Sequence, residues 1–544
     1  MFVGKRRRSR QFALLATALV AVLLSGTGAT AQPASAPQSS GTESRGRPGD
    51  WPTWQKDLRG SRHNPAEREI KKSTLDKLEL KWAFAFLGKE RNRGQPAVVG
   101  NMLYVGGSNG KLHALNAKTG AAKWTFDTGT VDGEPGWITN SPAVARGKVY
   151  FGDNRGYLYA VGQHTGRLVW AQRIESNPYT LVTSSPLVYG GRVFVGVSSH
   201  ENALFDPEAD RNHPCCTFRG HVNSLDAETG SLRWRYYTVP TPQPVGTWPS
   251  GATHYGPSGA GVWGSPVVDP ATATVYVGTG QNYSGSGGDF DSLLALDAWS
   301  GEVRWKRKMT PADTWRLQCA LSEDPGYCPS RRDGTNLDWD VSASPNLFRV
   351  DGRTLVGVGQ KKGTYHVMDA ATGDIVWQRQ LSTPMPNGGL SGIEWGSSYD
   401  GERIYAATWF ADPGTLFALD PATGEILWQT PNPVDGCSWG GAAEHPDKCA
   451  LGHAPAPTTT PGLVYEGSYD GKMRIYAADT GKVLWQYDVV RDFITVNGVP
   501  GRGNDIAGGG GAVVANGMLY IKTGYWSPYP NDKGNLLLAF GLRD

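Results

Sequence analysis

The sequence predicts an all-β chain built as an eight-bladed β-propeller, and three observations carry the prediction. One short design recurs seven times, alternating strands flank the copies, and the two halves of an eighth unit lie at opposite ends of the chain. The composition agrees, since 544 residues hold 72 glycines, 20 tryptophans and 22 tyrosines spread along the whole length. That suits one large repetitive β structure better than several unrelated domains.

The recurring design is an apolar strand, a polar turn that closes on glycine, and a strand that ends on tryptophan. Its copies are HALNAKTGAAKW, YAVGQHTGRLVW, NSLDAETGSLRW, LALDAWSGEVRW, HVMDAATGDIVW, FALDPATGEILW and RIYAADTGKVLW, ending at Trp124, Trp170, Trp234, Trp305, Trp377, Trp428 and Trp485. Aspartate and threonine can bond the turn backbone while glycine takes positive φ, so each copy reads as two antiparallel strands on a tight turn. Runs such as NMLYVGGS, KVYFGDN, TVYVGTG and MLYIKTG alternate with a period of two and add further strands. Four short strands per unit make a propeller blade.

For the eighth blade, LELKWAF near the N-terminus supplies a closing strand with Trp82, and NLLLAFGL at the C-terminus supplies the strand before it. Pairing them closes the ring and leaves no open edge. Trp82 lies 42 residues before Trp124, whereas the tryptophans from Trp170 to Trp377 are separated by 64, 71 and 72 residues. Those long intervals mark insertions, and loops on a rigid scaffold are where function concentrates. The repeated tryptophans themselves read as packing pegs between blades, because a position common to all repeats serves the shared architecture.

At the N-terminus, Lys5, Arg6, Arg7, Arg8 and Arg10 precede an apolar stretch over 12–24 and the small-residue site Ala29-Thr30-Ala31. Residues 1–31 therefore read as a secretory signal peptide, too short in its apolar part to span a bilayer, and the product as periplasmic or extracellular with no stable membrane span after cleavage. Cleavage removes five basic and no acidic residues, taking the formal charge from +3 to −2. A nearly neutral chain without a basic stripe is a poor partner for nucleic acid. Residues 32–50, rich in Pro, Ser and Gly, read as a disordered leader, and residues 51–544 as the propeller. Six cysteines, Cys215, Cys216, Cys319, Cys328, Cys437 and Cys449, suit three disulfides in an exported chain, with near-neighbour pairing the obvious solution although spacing alone leaves other pairings open. None begins a haem-attachment motif.

The turn-and-tryptophan units resemble the docking motifs of the pyrroloquinoline quinone (PQQ) dependent alcohol dehydrogenases, over essentially all of residues 51–544. The segments CCTFRG, VGTGQNYS and GIEWGSS are most similar to the polyvinyl alcohol dehydrogenase branch. The resemblance implies that Trp263 forms a floor under the quinone, as suits stacking on a flat cofactor. Thr183 and Ser198 match the quinone-carboxylate contacts and Glu201 the metal-binding glutamate; Gln281 or Asn282 matches the amide ligand. The adjacent Cys215 and Cys216 match the vicinal disulfide that covers the quinone. Asp338 matches the catalytic base and also a metal ligand, and Asp340, two residues on and facing the same way if extended, matches the second carboxylate of the lanthanide-using members. Lys361 matches the cation near the quinone oxygens, with Lys362 the alternative; Asn387 and Trp395 match a loop lining the active-site funnel.

The implied cofactors are PQQ and Ca²⁺ or a lanthanide, hard cations that take oxygen ligands. The implied reaction is oxidation of an alcohol, including polymeric and other secondary alcohols. Its electrons would pass to an external acceptor such as a cytochrome c. Similar propellers also serve as scaffolds that bind protein or polysaccharide without a quinone, as in the outer-membrane assembly factor of the BamB type, so fold alone does not decide between the two.

Overall fold

The computed structural model describes residues 47–543 apart from 88–92, 205–206, 323, 325, 342, 386–390, 410–412, 507 and 526–533. The segment read as a signal peptide and most of the leader lie outside the described residues. Eight antiparallel sheets follow one another as the blades of a propeller, each with strands in sequence order. Blade 1 consists of Ala97–Val99, Met102–Gly106, Lys111–Asn116 and Ala122–Asp127. Blades 2 to 7 lie within residues 143–173, 180–237, 267–308, 346–380, 397–431 and 458–488. In blade 8, Val513–Ala515, Met518–Lys522 and Leu536–Leu542 are completed by Leu78–Ala85, whose Leu78 pairs with Leu542 and whose Ala85 pairs with Leu536.

Each blade is covered on both faces by its neighbours, so the inner three strands are nearly all buried while the fourth alternates with solvent. Thr274–Gly278 is buried throughout, whereas Ile426–Pro431 alternates between half-buried and exposed. The turn aspartates behave as their chemistry dictates: Asp226 Oδ1 accepts from the amides of Glu228 and Thr229 and from the Thr229 hydroxyl.

The outer strand's tryptophan spans the seam between blades. Trp82, Trp124, Trp170, Trp234, Trp305, Trp377 and Trp428 each donate Nε1–H to a turn carbonyl of the following blade, respectively Ala117, Gln163, Ala227, Ala298, Ala370, Pro421 and Ala478. Each indole also lies on the glycine of that turn, from Gly120 for Trp82 to Gly481 for Trp428. Gly166 shows why no other residue serves there: its φ is 65°, and a Cβ would lie 2.6 Å from Trp124 Cε3. Trp485 departs from the pattern, stacking on Tyr487 and meeting Phe540 edge-on.

The inner edges are tied by a strap that the repeats do not announce. Carbonyls of Trp51, Pro52, Leu58, Arg59, Ser61 and Arg62 accept from Val98, Val144, Val268, Leu347, Tyr399 and Thr459, in the first strands of blades 1, 2, 4, 5, 6 and 7. Thr53 reaches the carbonyl of Pro186 before the first long strand pair of blade 3, and Asn64 donates to Val514 O of blade 8. Residues 51–64 thus bond to every blade. Above the strap runs a chain of serines: Gln95 N donates to Ser141 Oγ (2.8 Å), Ser141 N to Ser185 Oγ (3.0 Å), Ser185 N to Ser265 Oγ (2.9 Å) and Ser265 N to Ser344 Oγ (3.0 Å).

If indole seating fixes the blade spacing, Gly166→Ala destabilises by about 2–4 kcal/mol, combining a left-handed backbone with overpacking. Gly147→Ala, at φ 70° with nothing within 4 Å of the new methyl, carries the backbone cost alone, about 1 kcal/mol. Denaturant unfolding of the two variants measures the difference.

Candidate active site

In every blade the connection into the first strand and the one between the second and third open on the same side of the ring, because consecutive strands are antiparallel. Thr183, Trp263, Asp338 and Trp395 precede first strands; Ser198, Glu201, Gln281 and Lys361 end or follow second strands. The topology therefore gathers them on one face, opposite the Asp-x-x-x-Gly turns.

The side chains of Asp338, Asp340, Trp263 and Trp395 form a connected group around Lys361, whereas those of Ser198 and Glu201 are not bonded to it. Lys361 Nζ lies 3.1 Å from Asp338 Oδ1 and 3.0 Å from Asp340 Oδ2, and its backbone amide donates to Asp340 O. Asp340 also accepts from Trp263 Nε1 (3.0 Å) and from Gln281 N (2.6 Å). The Trp263 ring lies 5.6 Å from the ammonium and meets Trp395 edge-on at 4.9 Å. Thr183 Oγ1 donates to Trp263 O. Lys362 points elsewhere, over the ring of Trp339 at 4.9 Å.

Electrostatics follow from crowding acids into a dry place. Burial pushes the Asp338 carboxyl up to about 7; Lys361 pulls it down, while Asp340 and Asp313 push it further up. Burial opposes the charge of Lys361, but Asp338, Asp340 and Glu394 outweigh it and hold the ammonium well above its ordinary range. Glu394 is raised by burial to about 8. Its Oε1 and the neighbouring Trp395 Nε1 are buried with no hydrogen-bond partner among the described residues.

Asp313 organises the backbone of this group. Its carboxylate accepts from the amides of Leu337 (3.1 Å), Asp338 (3.0 Å) and Trp339 (2.7 Å). Those three donors hold Asp338 at φ 55°, a left-handed conformation unusual for a residue with a side chain. Between Asp313 and Asp338 lies an insertion stapled by the disulfide Cys319–Cys328.

Glu201 is fully buried and makes a second clamp, accepting from Thr217 N, Thr217 Oγ1, Phe218 N and His213 Nε2 at 2.7–3.1 Å. It thereby anchors the loop carrying Cys215 and Cys216, which are disulfide-bonded to each other and fully buried. Cys215 O accepts from Trp248 Nε1, and Cys216 N donates to Ser284 Oγ. Tyr283 joins the two regions. Its hydroxyl donates to Ser199 O and also meets Ser198; burial, Asp340 and Glu201 all raise its pKa. Asn282 spends its amide on the adjoining turn, donating to Ser258 O and Gly287 O and accepting from Gly287 N. Asn387 lies outside the described residues.

Sequence reasoning missed Asp313, Glu394 and Tyr283. Glu394 stands in the quoted GIEWGSS segment beside Trp395, a visible signal. Asp313 and Asp338 are separated by the insertion, and no periodicity links them.

Residues 51–321 match the family model described as glucose/ethanol/alcohol dehydrogenase, β-propeller domain, and residues 361–524 match that of the outer membrane protein assembly factor BamB. The chain is 30% identical to a polyvinylalcohol dehydrogenase of a Pseudomonas species, over 91% of this chain and 77% of that one. It is 31% identical to the polyvinylalcohol dehydrogenase of Sphingopyxis sp. strain 113P3, over 94% and 79%. Among solved structures, quinohemoprotein alcohol dehydrogenase from Comamonas testosteroni superposes with a TM-score of 0.65 at 20% identity, covering 91% of this chain and 80% of that one. A europium-containing methanol dehydrogenase superposes at 0.62 and 19%, covering 91% and 98%. These two likenesses show the shared fold.

Lys361 is the cation bonded to both aspartates of the group, so Lys361→Met leaves them buried without it. Such a loss costs about 3 kcal/mol, and adding Asp340→Asn recovers much of it; denaturant unfolding of the single and double variants checks this.

Proposed function

The chain belongs to the PQQ-dependent alcohol dehydrogenase family, and from that premise we propose that it oxidises primary or secondary alcohols at the Lys361 group, with polymeric secondary alcohols foremost. The observation that carries the proposal is the buried pairing of Asp338 and Asp340 with one lysine beneath a tryptophan face. Burying two carboxyls with an ammonium gains a scaffold little, whereas a redox site can use them.

The residues fit the family's cofactors. Trp263 offers a flat aromatic face, Thr183 and Ser198 offer hydroxyls, and Lys361 offers charge for an anionic tricyclic quinone; unpartnered Trp395 Nε1 and Glu394 Oε1 show polar valences open nearby. Asp338, Asp340 and the Gln281 amide are oxygen donors of the kind that Ca²⁺ and lanthanides take; Glu201, whose carboxylate is committed to His213, Thr217 and Phe218, and Asn282, with its amide committed to a turn, are the weaker candidates. Cys215 and Cys216 are proposed as the cover of the quinone, and Asn387 with Trp395 as the funnel wall. When bound, the quinone supplies the two-electron acceptor that side chains lack, and the cation polarises it.

The chain's own residues then have definite tasks. Asp338 takes the alcohol's hydroxyl proton, as a buried carboxylate whose position is fixed by Lys361 and by the Asp313-bound backbone is placed to do. Lys361 orients that carboxylate and carries positive charge to where negative charge accumulates on reduction. Asp313 presents Asp338 by fixing its backbone. Trp263 and Trp395 exclude water from the group. All six cysteines are committed to disulfides, and electrons pass to a separate acceptor such as a cytochrome c. Export to the periplasm or beyond accords with three disulfides. Among the described residues no helix is long and apolar enough to cross a membrane.

A non-catalytic scaffold of the BamB kind shares the fold and the family match over residues 361–524. Purified protein supplied with PQQ and Ca²⁺ or a lanthanide should reduce an artificial dye in the presence of secondary alcohols. Asp338→Ala should abolish the reaction, and Asp313→Ala should lower kcat about 100-fold, the scale of a misplaced catalytic group. Dye reduction that survives in Asp338→Ala removes the assignment of the base.

A further inference from the structure

Tyr283, which feels the charge of Asp340, also lines a half-open cavity of about 370 Å³ among the insertions. Its wall includes Trp248, His254, Tyr283, Thr314, Arg316 and Thr335. Thr314 follows Asp313, Thr335 stands three residues before Asp338, and Trp248 is bonded to the vicinal disulfide through Cys215 O. The cavity therefore borders the proposed reaction site without containing its catalytic group.

The lining carries unused polar valences. Arg316 is 2% exposed, and its Nε and Nη1 have no hydrogen-bond partner among the described residues; His254 Nε2 is likewise buried and unpartnered among them. Both residues flank Trp248, the guanidinium 4.5 Å and the imidazole 3.9 Å from ring centroids. Leaving buried donors unpaired costs free energy that a ligand accepting their bonds would recover. The ligand's charge is constrained as well. Arg316 already has a buried counter-ion in Asp210 at 3.3 Å, and Asp333 also lines the wall, so an anion would meet carboxylates. An apolar ligand would leave the donors unmet. Hydroxyl oxygens satisfy guanidinium and imidazole together, and a carbon chain between them packs on the Trp248 face.

We propose that this cavity is a second subsite for a neutral polyhydroxylated chain, holding hydroxyls remote from the one being oxidised. The inference rests on the alcohol-oxidising reading and names what selects an extended substrate over a short one. Its physical content is a difference in binding between long and short alcohols made by residues outside the Lys361 group.

The test compares a poly(vinyl alcohol) oligomer with 2-butanol on the quinone- and metal-loaded full chain. Arg316→Gln and His254→Ala should each raise KM for the oligomer about tenfold, equivalent to about 1.4 kcal/mol, while kcat/KM for 2-butanol stays within about twofold. His254→Ala guards against misfolding caused by stranding Asp210 in the arginine variant, and circular dichroism checks both. Equal effects on the two substrates, or none on either, overturn the subsite. If the parent protein oxidises neither alcohol, the functional reading fails instead, and calorimetric titration of the oligomer into parent and His254→Ala protein decides the subsite separately. Binding weakened by the substitution upholds it; undiminished binding, or no binding to the parent, overturns it.

Discussion

The seating of one blade's outer tryptophan on the next blade's turn glycine is the contact on which the rest of the molecule depends. It joins two blades at the periphery by an indole face and an Nε1–H bond at once, and it recurs from Trp82 to Trp428. Since the glycine has no Cβ, the indole sits directly against backbone. At the inner edge, the strap over residues 51–64 and the serine chain through Ser141, Ser185, Ser265 and Ser344 perform the matching task. Trp54 ties the two together by donating to Ser344 Oγ, and Ser344 N donates to Trp395 O. The scaffold is thus hydrogen-bonded directly to the loops that carry the site.

On that frame the candidate site concentrates acids. Asp291, Asp313, Asp338, Asp340 and Glu394 are all buried, and Lys361 bonds to two of them. Burial disfavours the charge of these carboxylates and their neighbours disfavour it further, which is why Asp291 lies well above, and Asp313 at about 6 rather than near, the ordinary aspartate value. A cofactor that brings a cation relieves this crowding. The same arrangement explains why Asp313 is spent on backbone amides: three N–H donors from 337–339 stabilise its charge while fixing where Asp338 stands.

Much of the fold was legible because one motif encodes both partners of each blade contact, the glycine of a turn and the tryptophan of a strand. LELKWAF and NLLLAFGL likewise announced the shared eighth sheet by matching halves of that motif. The strap was not legible, since it bonds through backbone carbonyls that leave no side-chain pattern. The serine chain left a trace in the Ser-Pro pairs at 141–142, 185–186, 265–266 and 344–345, but such pairs also read as ordinary strand starts. In the site, family register brought Trp263, Lys361, Asp338 and Asp340 to attention. It did not reveal that Lys361 bridges both aspartates, that Glu201 clamps Thr217 and Phe218, or that Asp313 reaches across the insertion. Those are contacts between segments far apart in the chain.

The most direct test is calorimetric titration of PQQ into the full chain, with Ca²⁺ or a lanthanide and with chelator. The structure predicts one quinone per chain, binding that requires the cation, and loss of binding in Trp263→Ala with the fold intact. Failure to bind under every metal condition, or undiminished binding in Trp263→Ala, would contradict a quinone site built on the Lys361 group.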